Sequence, residues 1–252
     1  MDSNKIKLLK FLVDSDIGSR RYCFNLIRAG KVSVNNKTIT QPLYLITPET
    51  DKIKVENKEI KIKKEILEPV YIMMNKPAGV ICSLKDKKGR PTIFDLLKHK
   101  NLKRKHLFYT GRLDFKTEGL IFITNDGEFA NFITHPRYNV LKYYYVEIKK
   151  MLTDDEIKRM KKGIYTKEEI YKIKDLKIIS RDEKHTNLII VLNEGKNREI
   201  RKIFQVLKHK IKYLKRTRIG PFRLDPKLKP GEYKLISKRI IEKFKKELTT
   251  SK

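Results

Sequence analysis

A carboxylate inside a glycine-flanked loop is the side chain of this sequence best suited to covalent or proton-transfer chemistry. Asp114 lies in the stretch GRLDFKTEGL, two residues after Arg112 and between Gly111 and Gly119. The apolar runs HLFYT and GLIFITND predict two strands, so Asp114 would sit on a loop held by a rigid sheet, where reactive groups are often found. There it could act as a nucleophile or as a base. For a lone R-x-D triplet, however, an Asp that hydrogen-bonds its own turn is the better explanation, so the rest of the chain must decide.

The sequence lacks the motifs that usually bind nucleotide cofactors or metal ions. There is no phosphate-binding Gly-Lys-Ser/Thr loop and no dinucleotide-type run of glycines after a strand. The five histidines show no metal-ligand spacing, and the two cysteines, Cys23 and Cys82, are far apart. We therefore expect chemistry without a cofactor or a metal, carried by a carboxylate, a tyrosine or a basic group. The cysteine usage favours a reducing compartment.

The charge of the chain predicts a polyanionic partner. Its 252 residues include 60 Lys and Arg against 30 Asp and Glu, a formal net charge of +30. Nucleic acid is the first candidate partner and an anionic membrane surface the second, although a lysine-rich host composition would also raise the charge. The N-terminus is interrupted by Lys7 and Lys10, unlike a signal peptide, and the chain has no run of about 18 apolar residues that could span a membrane. We therefore expect a soluble, cytoplasmic protein.

Hydropathy and charge predict a small N-terminal domain, a linker and a larger domain. Residues 1–62 carry two amphipathic helices, predicted over IKLLKFLVDS and RRYCFNLIRAG, and short strands around an Asn-Asn turn. Residues 63–69 are charged and end in proline, which is typical of a linker. Residues 70–248 mix strands and helices without a regular parallel alternation. We therefore expect an α+β fold whose larger domain has a mixed, mainly antiparallel sheet.

The elements of the larger domain follow from alternation and helical periodicity. The patterns predict strands over VYIMM, KPAGVICSL, HLFYT, GLIFITND, KYYYVEI, YKIKDLKIIS, TNLIIVLNE and KIKYLKRTRIG. They predict helices over PTIFDLLKH, DGEFANFITHP, TDDEIKRMKKGI, NREIRKIFQVLKH and SKRIIEKFKKEL. The second of these is predicted to be capped near Asp126, and the third by the pair Thr153 and Glu156. Tyr144 alternates with Val146 and Ile148, so it could be a core residue. Arg201 lies off the apolar stripe of its helix, so it could be a solvated surface residue.

Roughly residues 5–235 contain four ordered blocks: SRRYCFNLIRAGKVSVNNKTI; YIMMNKPAGVICS with GRPTIFDLL; GRLDFKTEGLIFITNDGEFANFITHP with KYYYV; and EGKNREIRKIFQVLKHKIKYLKRTRIGPFRL. Together they resemble the bacterial ribosomal-RNA pseudouridine synthases of the RsuA/RluB type. The first block resembles the small alpha-L (S4-like) RNA-binding domain that these enzymes share with a small-subunit ribosomal protein. The resemblance implies an N-terminal alpha-L domain followed by a catalytic domain of the pseudouridine synthase type.

The resemblance also implies a reaction that is redox-neutral and adds no atoms. The enzyme breaks the C1′–N1 bond of a uridine in RNA, turns the base and rejoins it through C5, in agreement with the missing cofactor motifs. Asp114 matches the essential aspartate, which would either attack C1′ or remove a proton at C2′. Arg201 matches its basic partner, and a nearby cation favours an ionised carboxylate against desolvation. Tyr144 matches a tyrosine expected to stack on the target base and to help deprotonate C5.

Further residues match RNA-binding positions. Arg112 corresponds to a position that helps to turn the uridine out of its helix, and Leu214 to an apolar wall under the base. Lys76 and Pro77 match a structural turn with no chemical role. On the N-terminal domain the resemblance favours an RNA-contacting patch over a solvated helix face. That patch comprises Arg20, Arg21, Arg28 and Lys31.

The target RNA and one alternative class of protein stay open. The segments GRPTIFDLL, DGEFANFITHP and EGKNREIRK resemble the large-subunit branch of the family more closely. The resemblance therefore implies large-subunit (23S) ribosomal RNA as the target, and small-subunit (16S) RNA is the alternative. A non-catalytic RNA-binding or ribosome-assembly protein would have no need to keep Asp114, Tyr144 and Arg201 together. An RNA methyltransferase with the same N-terminal domain would need a glycine-rich cofactor loop, which the sequence lacks. We expect a monomer that binds ribosomal RNA, with no membrane partner and no small-molecule cofactor.

Overall fold

The chain divides into two compact units, residues 1–67 and 68–252. The computed structural model describes residues 5–60, 68–98, 107–166 and 169–250. The described helices are α1 (Leu8–Asp14), α2 (Arg20–Arg28), α3 (Gly127–Thr134), α4 (Asp154–Lys162), α5 (Glu199–Val206) and α6 (Lys238–Thr250). The described strands are β1 (Ile6–Lys7), β2 (Val32–Val34), β3 (Lys37–Thr38), β4 (Leu45–Ile46), β5 (Ile53–Val55), β6 (Lys58–Glu59), β7 (Tyr71–Lys76), β8 (Phe108–Thr110), β9 (Glu118–Thr124), β10 (Lys142–Lys149), β11 (Ile164–Tyr165), β12 (Ile170–Tyr171), β13 (Asp175–Arg181), β14 (His185–Leu192), β15 (Ile211–Ile219), β16 (Phe222–Arg223) and β17 (Tyr233–Leu235).

In the N-terminal unit, α1 and α2 share one apolar core with a four-stranded antiparallel sheet of order β3-β2-β5-β6. Ser19 caps α2, because its hydroxyl accepts a hydrogen bond from the backbone N–H of Tyr22 at 3.3 Å. Asn35 and Asn36 both have positive φ, 51° and 65°, as a two-residue hairpin turn between β2 and β3 requires. The helices, the turn and the β5 strand predicted from the sequence are therefore confirmed.

The second unit is built on a mixed sheet of order β13-β14-β10-β15-β9-β7-β17, with β16 paired to β15 and β8 paired to β9. Among the described strands of this sheet, every pairing is antiparallel except that of β9 with β15. The prediction of an α+β fold with a mixed, mainly antiparallel sheet is confirmed.

Two apolar cores lie on this sheet. One contains Tyr144 and Val146 of β10 together with Met160 of α4 and Phe204 of α5. The other contains residues of β7 and β9 together with residues of α3 and α6, and Phe129 lies at the centre of several edge-to-face ring pairs. Because successive side chains of a strand alternate between faces, β9 contributes to both cores.

Two helix starts were readable from the sequence because their capping groups are local. Asp126 caps α3, and its carboxylate accepts hydrogen bonds from the backbone N–H groups of Glu128 and Phe129. Thr153 and Glu156 form a reciprocal capping box at the start of α4. Both predictions are confirmed, as is the predicted alternation along β10.

Two predicted elements are wrong. The segment KPAGVICSL makes only an isolated bridge, between Ile81 and Thr92, instead of a strand. The predicted helix over residues 91–99 forms consecutive turns over its described part. In this segment the carboxylate of Asp95 accepts hydrogen bonds from the N–H and the hydroxyl of Thr92. These local bonds close a turn in place of a helix. The apolar residues Ile93 and Leu97 are buried all the same.

The junction of β9 and β15 brings two backbones unusually close. Gly119 pairs with Arg216 in the parallel register and has a φ of +107°. A Cβ atom at Gly119 would lie 2.2 Å from the backbone oxygen and 2.7 Å from the backbone nitrogen of Arg216. Only glycine fits this position, because it has no Cβ and tolerates a positive φ.

Part of the predicted linker, residues 63–67, lies outside the described residues. So do residues 99 and 106, the two histidines at the end of PTIFDLLKH and at the start of HLFYT. None of the described helices is long and apolar enough to cross a membrane.

Candidate active site

A cavity of about 500 Å³ lies in the second unit, on the face of the sheet that carries Tyr144. Its walls come from the loop 111–117, from β10 and β15, and from residues 192–201. The cavity brings together all five site residues predicted for this unit. They are Arg112, Asp114, Tyr144, Arg201 and Leu214.

Arg201 of α5 binds both the carboxylate of Asp114 and the loop that carries it. Its Nε lies 3.3 Å from Oδ2 of Asp114. Its Nη2 donates hydrogen bonds to the hydroxyl of Thr117 at 2.9 Å and to the carbonyl of Lys116 at 3.1 Å. The side chains of Arg201 and Asp114 are 18% and 30% exposed, so the pair is shielded but open to the cavity. The guanidinium thus joins the carboxylate and its loop to α5 at the cavity.

A buried lysine supports the same loop from the interior. Lys76, at the end of β7, is fully buried, and its Nζ donates hydrogen bonds to the carbonyls of Pro77 at 2.8 Å and Thr117 at 2.9 Å. Burial lowers the pKa of Lys76 to about 8. The N–H of Thr117 in turn donates to the carbonyl of Asp114 at 3.0 Å. Lys76 thus holds the turn that presents Asp114.

Tyr144 is both a core residue and a wall of the cavity. It is 8% exposed and belongs to the same apolar core as Val146 and Ile148. Leu214, which is 5% exposed, lines the cavity with it from the neighbouring strand β15. An aromatic ring and an aliphatic side chain on adjacent strands form an apolar surface on which a planar ring can pack.

Arg216 is a buried cation of the cavity that the sequence reasoning missed. It is 3% exposed, and its Nε donates a hydrogen bond to the carbonyl of Leu120 at 2.7 Å. Its Nη1 donates to the hydroxyl of Tyr144 at 3.4 Å. Strand alternation places Arg216 on the same side as Leu214, two residues earlier, and this was the signal that could have found it.

Two further charged groups of the cavity wall are also buried. Lys142 of β10 is 8% exposed, and burial together with the charge of Arg216 lowers its pKa to about 8. Glu199 at the start of α5 is 4% exposed, and burial raises its pKa to about 7. The carboxylate of Glu199 accepts a hydrogen bond from the N–H of Lys196 at 3.2 Å and so closes the turn before α5. Arg198 in this turn has a φ of 52°, a conformation that a non-glycine residue adopts only where its surroundings enforce it.

The basic residues predicted to contact RNA are exposed, whereas the predicted Leu214 is buried in the cavity wall. Arg112 lies at the cavity beside Asp114. Arg20 and Arg21 border an apolar concavity of the N-terminal unit, whose other lining residues are Leu9, Phe24, Pro42 and Leu43. Arg28 is exposed at the last turn of α2. Lys31 forms an exposed ion pair with Glu56, Nζ to Oε1 2.6 Å, a type of pair that contributes little to stability.

In the described part of the chain, no group of three or more His, Cys, Asp or Glu side chains could hold a metal ion.

The chain is similar to known proteins over most of its length. A family model described as RNA pseudouridylate synthase matches residues 70–206, and an S4 domain model matches residues 6–53. Ribosomal large subunit pseudouridine synthase B of Bacillus subtilis (strain 168) is 36% identical over 212 residues, which are 83% of this chain and 84% of that protein. A protein of Borreliella burgdorferi (strain ATCC 35210 / DSM 4680 / CIP 102532 / B31), described as an uncharacterized RNA pseudouridine synthase, is 38% identical over 240 residues, 94% of this chain and 92% of that protein. A crystal structure of a pseudouridylate synthase has a TM-score of 0.65 and 29% identity, and the match covers 94% of this chain and 99% of that one.

Proposed function

This chain belongs to the family of RNA pseudouridine synthases, and we propose that it converts a specific uridine of large-subunit ribosomal RNA into pseudouridine. The observation that carries the proposal is the Asp114–Arg201 ion pair inside a cavity that Tyr144 also lines. The name of the Bacillus subtilis relative supports the choice of the large subunit. Since the relatives named above are bacterial proteins, we place the reaction in the bacterial cytoplasm.

Asp114 is the group that acts on the ribose. A direct attack of its carboxylate on C1′ breaks the C1′–N1 bond, and the electron pair of that bond leaves with the base. Removal of a proton from C2′ also expels the base with that electron pair. Both routes need an ionised carboxylate, and Arg201 holds that carboxylate in an ion pair at the cavity. The detached uracil then turns and C5 bonds to C1′, while the Asp114–C1′ bond breaks on the first route or C2′ regains its proton on the second. The proton at C5 is then lost and N1 takes up a proton.

Tyr144 and Leu214 hold the base while it is detached. A uracil removed from its helix loses its stacking neighbours, and the ring of Tyr144 replaces one of them. The cavity of about 500 Å³ falls in the usual range for small-molecule sites. Arg112 is exposed beside Asp114, where a guanidinium can bind the phosphates of a flipped nucleotide.

The S4 domain supplies affinity through phosphates. Arg20, Arg21 and Arg28 are exposed on α2, and Lys31 can exchange its exposed partner Glu56 for a phosphate. Contacts of this kind position an RNA without reading its sequence. We therefore assign the placement of the RNA to the N-terminal unit and the chemistry to the second unit.

Mapping of pseudouridine in both ribosomal RNAs tests the proposal. Unmodified large-subunit and small-subunit RNA are each incubated with the purified protein, and pseudouridines are located by chemical labelling and sequencing. We expect one or a few modified uridines in the large-subunit RNA and none in the small-subunit RNA. Modification confined to the small-subunit RNA would contradict the proposed target. If neither RNA is modified, whether free or in partly assembled subunits, the proposed activity is contradicted.

Arg201→Gln should lower the single-turnover rate by roughly 10²-fold, because removing one preorganised charged group of an active site has an effect of this order. The variant loses the ion pair with Asp114 and both hydrogen bonds to the loop. Its melting temperature should change little, because Arg201 lies beside the core and not in it. Arg159→Gln, an exposed arginine on α4, is the matched control and should keep full activity. A well-folded, fully active Arg201→Gln protein would remove the ion pair from the mechanism.

The double variant Arg20→Gln/Arg21→Gln should bind RNA more weakly and with less dependence on salt. Each lost phosphate contact lowers the slope of log K against log salt by about 0.7–0.9, so the double variant should lose about 1.5. Binding is measured by filter retention at several salt concentrations. Lys37→Gln/Lys58→Gln removes the same charge from exposed positions of the small sheet and controls for net charge. An equal change of slope in both double variants would contradict a specific role of the α2 arginines.

A further inference from the structure

Arg216 has a hydrogen-bond donor for which the described residues offer no acceptor. Its Nε and Nη1 have acceptors in the carbonyl of Leu120 and the hydroxyl of Tyr144. Its Nη2 is buried and, in the described part of the chain, has no acceptor. The side chain lines the cavity next to Tyr144, and its Cζ lies 6.0 Å from the centre of that ring. An unused buried donor of this kind requires an explanation.

The positive charge of Arg216 is also unusual, because it is buried and has no counter-ion among the described residues. Among the described residues it forms no ion pair, although it is only 3% exposed. A buried cation without a counter-ion is strongly unfavourable. The second cation of the cavity wall, Lys142, adds charge of the same sign and has its pKa lowered to about 8 by burial and by Arg216. This wall of the cavity therefore carries two buried cations. Of the carboxylates that line the same cavity, Asp114 pairs with Arg201, burial raises the pKa of Glu199 to about 7, and none forms an ion pair with Arg216 among the described residues.

The reaction itself produces an anion at this place. Heterolysis of the C1′–N1 bond leaves the electron pair of the bond on the uracil ring, where it is delocalised over N1, O2 and O4. The negative charge is lost when C5 of the turned base forms its bond to C1′, and the later departure of the proton at C5 is matched by the uptake of a proton at N1. The detached uracil is thus an anionic intermediate on either route available to Asp114.

We propose that Arg216 is a further catalytic residue, which binds an oxygen of the detached uracil through Nη2 and stabilises its negative charge. This inference rests on the proposed function, since it needs the base of the target uridine to lie in this cavity. Charge-assisted hydrogen bonds to developing charge are among the largest contributions to catalysis. The bond from Nε to the carbonyl of Leu120 fixes the guanidinium, so its donor is in place before the charge develops.

One fixed donor can serve the whole reaction because of the symmetry of the uracil ring. A half-turn about the axis through N3 and C6 brings C5 to the former position of N1. The same half-turn exchanges O2 and O4. Nη2 of Arg216 therefore meets a carbonyl oxygen at the same place before and after the base turns, and Arg216 need not move.

Arg216→Gln and Arg216→Lys, each with two substrates, test this role. The substrates are the same target RNA with uridine or with 5-fluorouridine at the modified position, and the readout is the single-turnover consumption of that nucleoside. Fluorine withdraws electrons and stabilises the uracil anion, so it replaces part of what Arg216 supplies. We expect Arg216→Gln to slow the consumption of uridine by about 10²-fold. The consumption of 5-fluorouridine should be slowed by only about tenfold, because the fluorine supplies part of the stabilisation. Arg216→Lys, which keeps the charge but not the two-donor fork, should fall between wild type and Arg216→Gln.

Arg218→Gln is the matched control on the same strand. Arg218 is also an arginine of β15, but its Nε donates to the carbonyl of Gly220 and it stacks on Tyr143 outside the cavity. It should leave the ratio of the two substrate rates unchanged. The proposal would be overturned if the Arg216 variants lost the same factor in single-turnover rate with both substrates, or lost no rate with either. Should Arg216→Gln fail to fold, the same comparison with Arg216→Lys decides. Failure of the proposed function would show differently, as no turnover of either substrate by the wild-type protein.

Discussion

Asp114→Asn is expected to reduce pseudouridine formation by roughly 10⁴-fold or more, the size of loss seen when a nucleophile is removed from an enzyme. The amide is nearly isosteric but cannot attack C1′ and cannot take a proton from C2′. Its RNA affinity should stay close to that of the wild type, because one carboxylate contributes only repulsion to phosphate binding. A full loss of turnover with retained binding assigns Asp114 to the chemical step.

The same substitution should leave the fold intact. Asp114 is partly exposed and belongs to a loop whose other anchors, the bonds from Lys76 and Arg201 to Thr117, remain in place. Turnover is measured as pseudouridine formed under excess enzyme, and folding by thermal melting. Asp154→Asn is the matched control, because Asp154 also pairs with an arginine, Arg181, at 2.7 Å but lies outside the cavity. An Asp114→Asn protein that still converts uridine would remove Asp114 from its role.

The local parts of the fold could be predicted from the sequence. The capping groups Asp126 and Thr153 lie within three residues of the backbone groups they bind, so their pattern is visible in a short window. The alternation of Tyr144 with Val146 is equally local. The local pattern did not predict the structure correctly at Ile93 and Leu97, because the spacing of these apolar residues suits a helix and a series of turns alike. Hydrogen bonds from Thr92 to Asp95 decide between the two, and hydropathy does not detect them.

The buried cation Arg216 was missed for a different reason, although alternation along β15 does place it on the side of Leu214. Arg216 belongs to a strand of alternating pattern, where a basic residue is expected to face solvent. Its burial depends on the carbonyl of Leu120, and that partner is set by the parallel register of β9 and β15. The register joins segments far apart in the chain, and no local pattern encodes it. Lys142 and Glu199 were missed for the same reason, since their burial follows from how the strands and α5 assemble.

The β9–β15 junction therefore determines how the residues of the proposed active site are positioned. The loop carrying Asp114 ends in β9, and Arg216 and Leu214 belong to β15. The relative position of the carboxylate and the buried guanidinium is set by the two parallel pairs at this junction, and one of them is Gly119 with Arg216. A change at Gly119 should consequently affect stability and catalysis together.

Gly119→Ala is expected to destabilise the second unit by roughly 3–5 kcal/mol, the sum of backbone strain and overpacking. The new Cβ would lie 2.2 Å from the backbone oxygen of Arg216, and the φ of +107° is unfavourable for alanine. Because the clash is with backbone, no side chain can rotate away, and β9 must separate from β15. For a unit of this size the melting temperature should fall by roughly 10 °C.

Gly127→Ala provides the matched control for this prediction. Gly127 begins α3, and a Cβ atom added there would meet nothing within 4 Å, so alanine at this position should be neutral or stabilise slightly. Thermal melting of both variants is compared with RNA binding and turnover below the melting temperature. Gly119→Ala protein that folds in the cold should still bind RNA through the S4 domain, but should turn over far more slowly, because Asp114 and Arg216 no longer face one base. Melting and activity equal to those of Gly127→Ala would show that the two strands can part without consequence, and the junction would lose its role in the site.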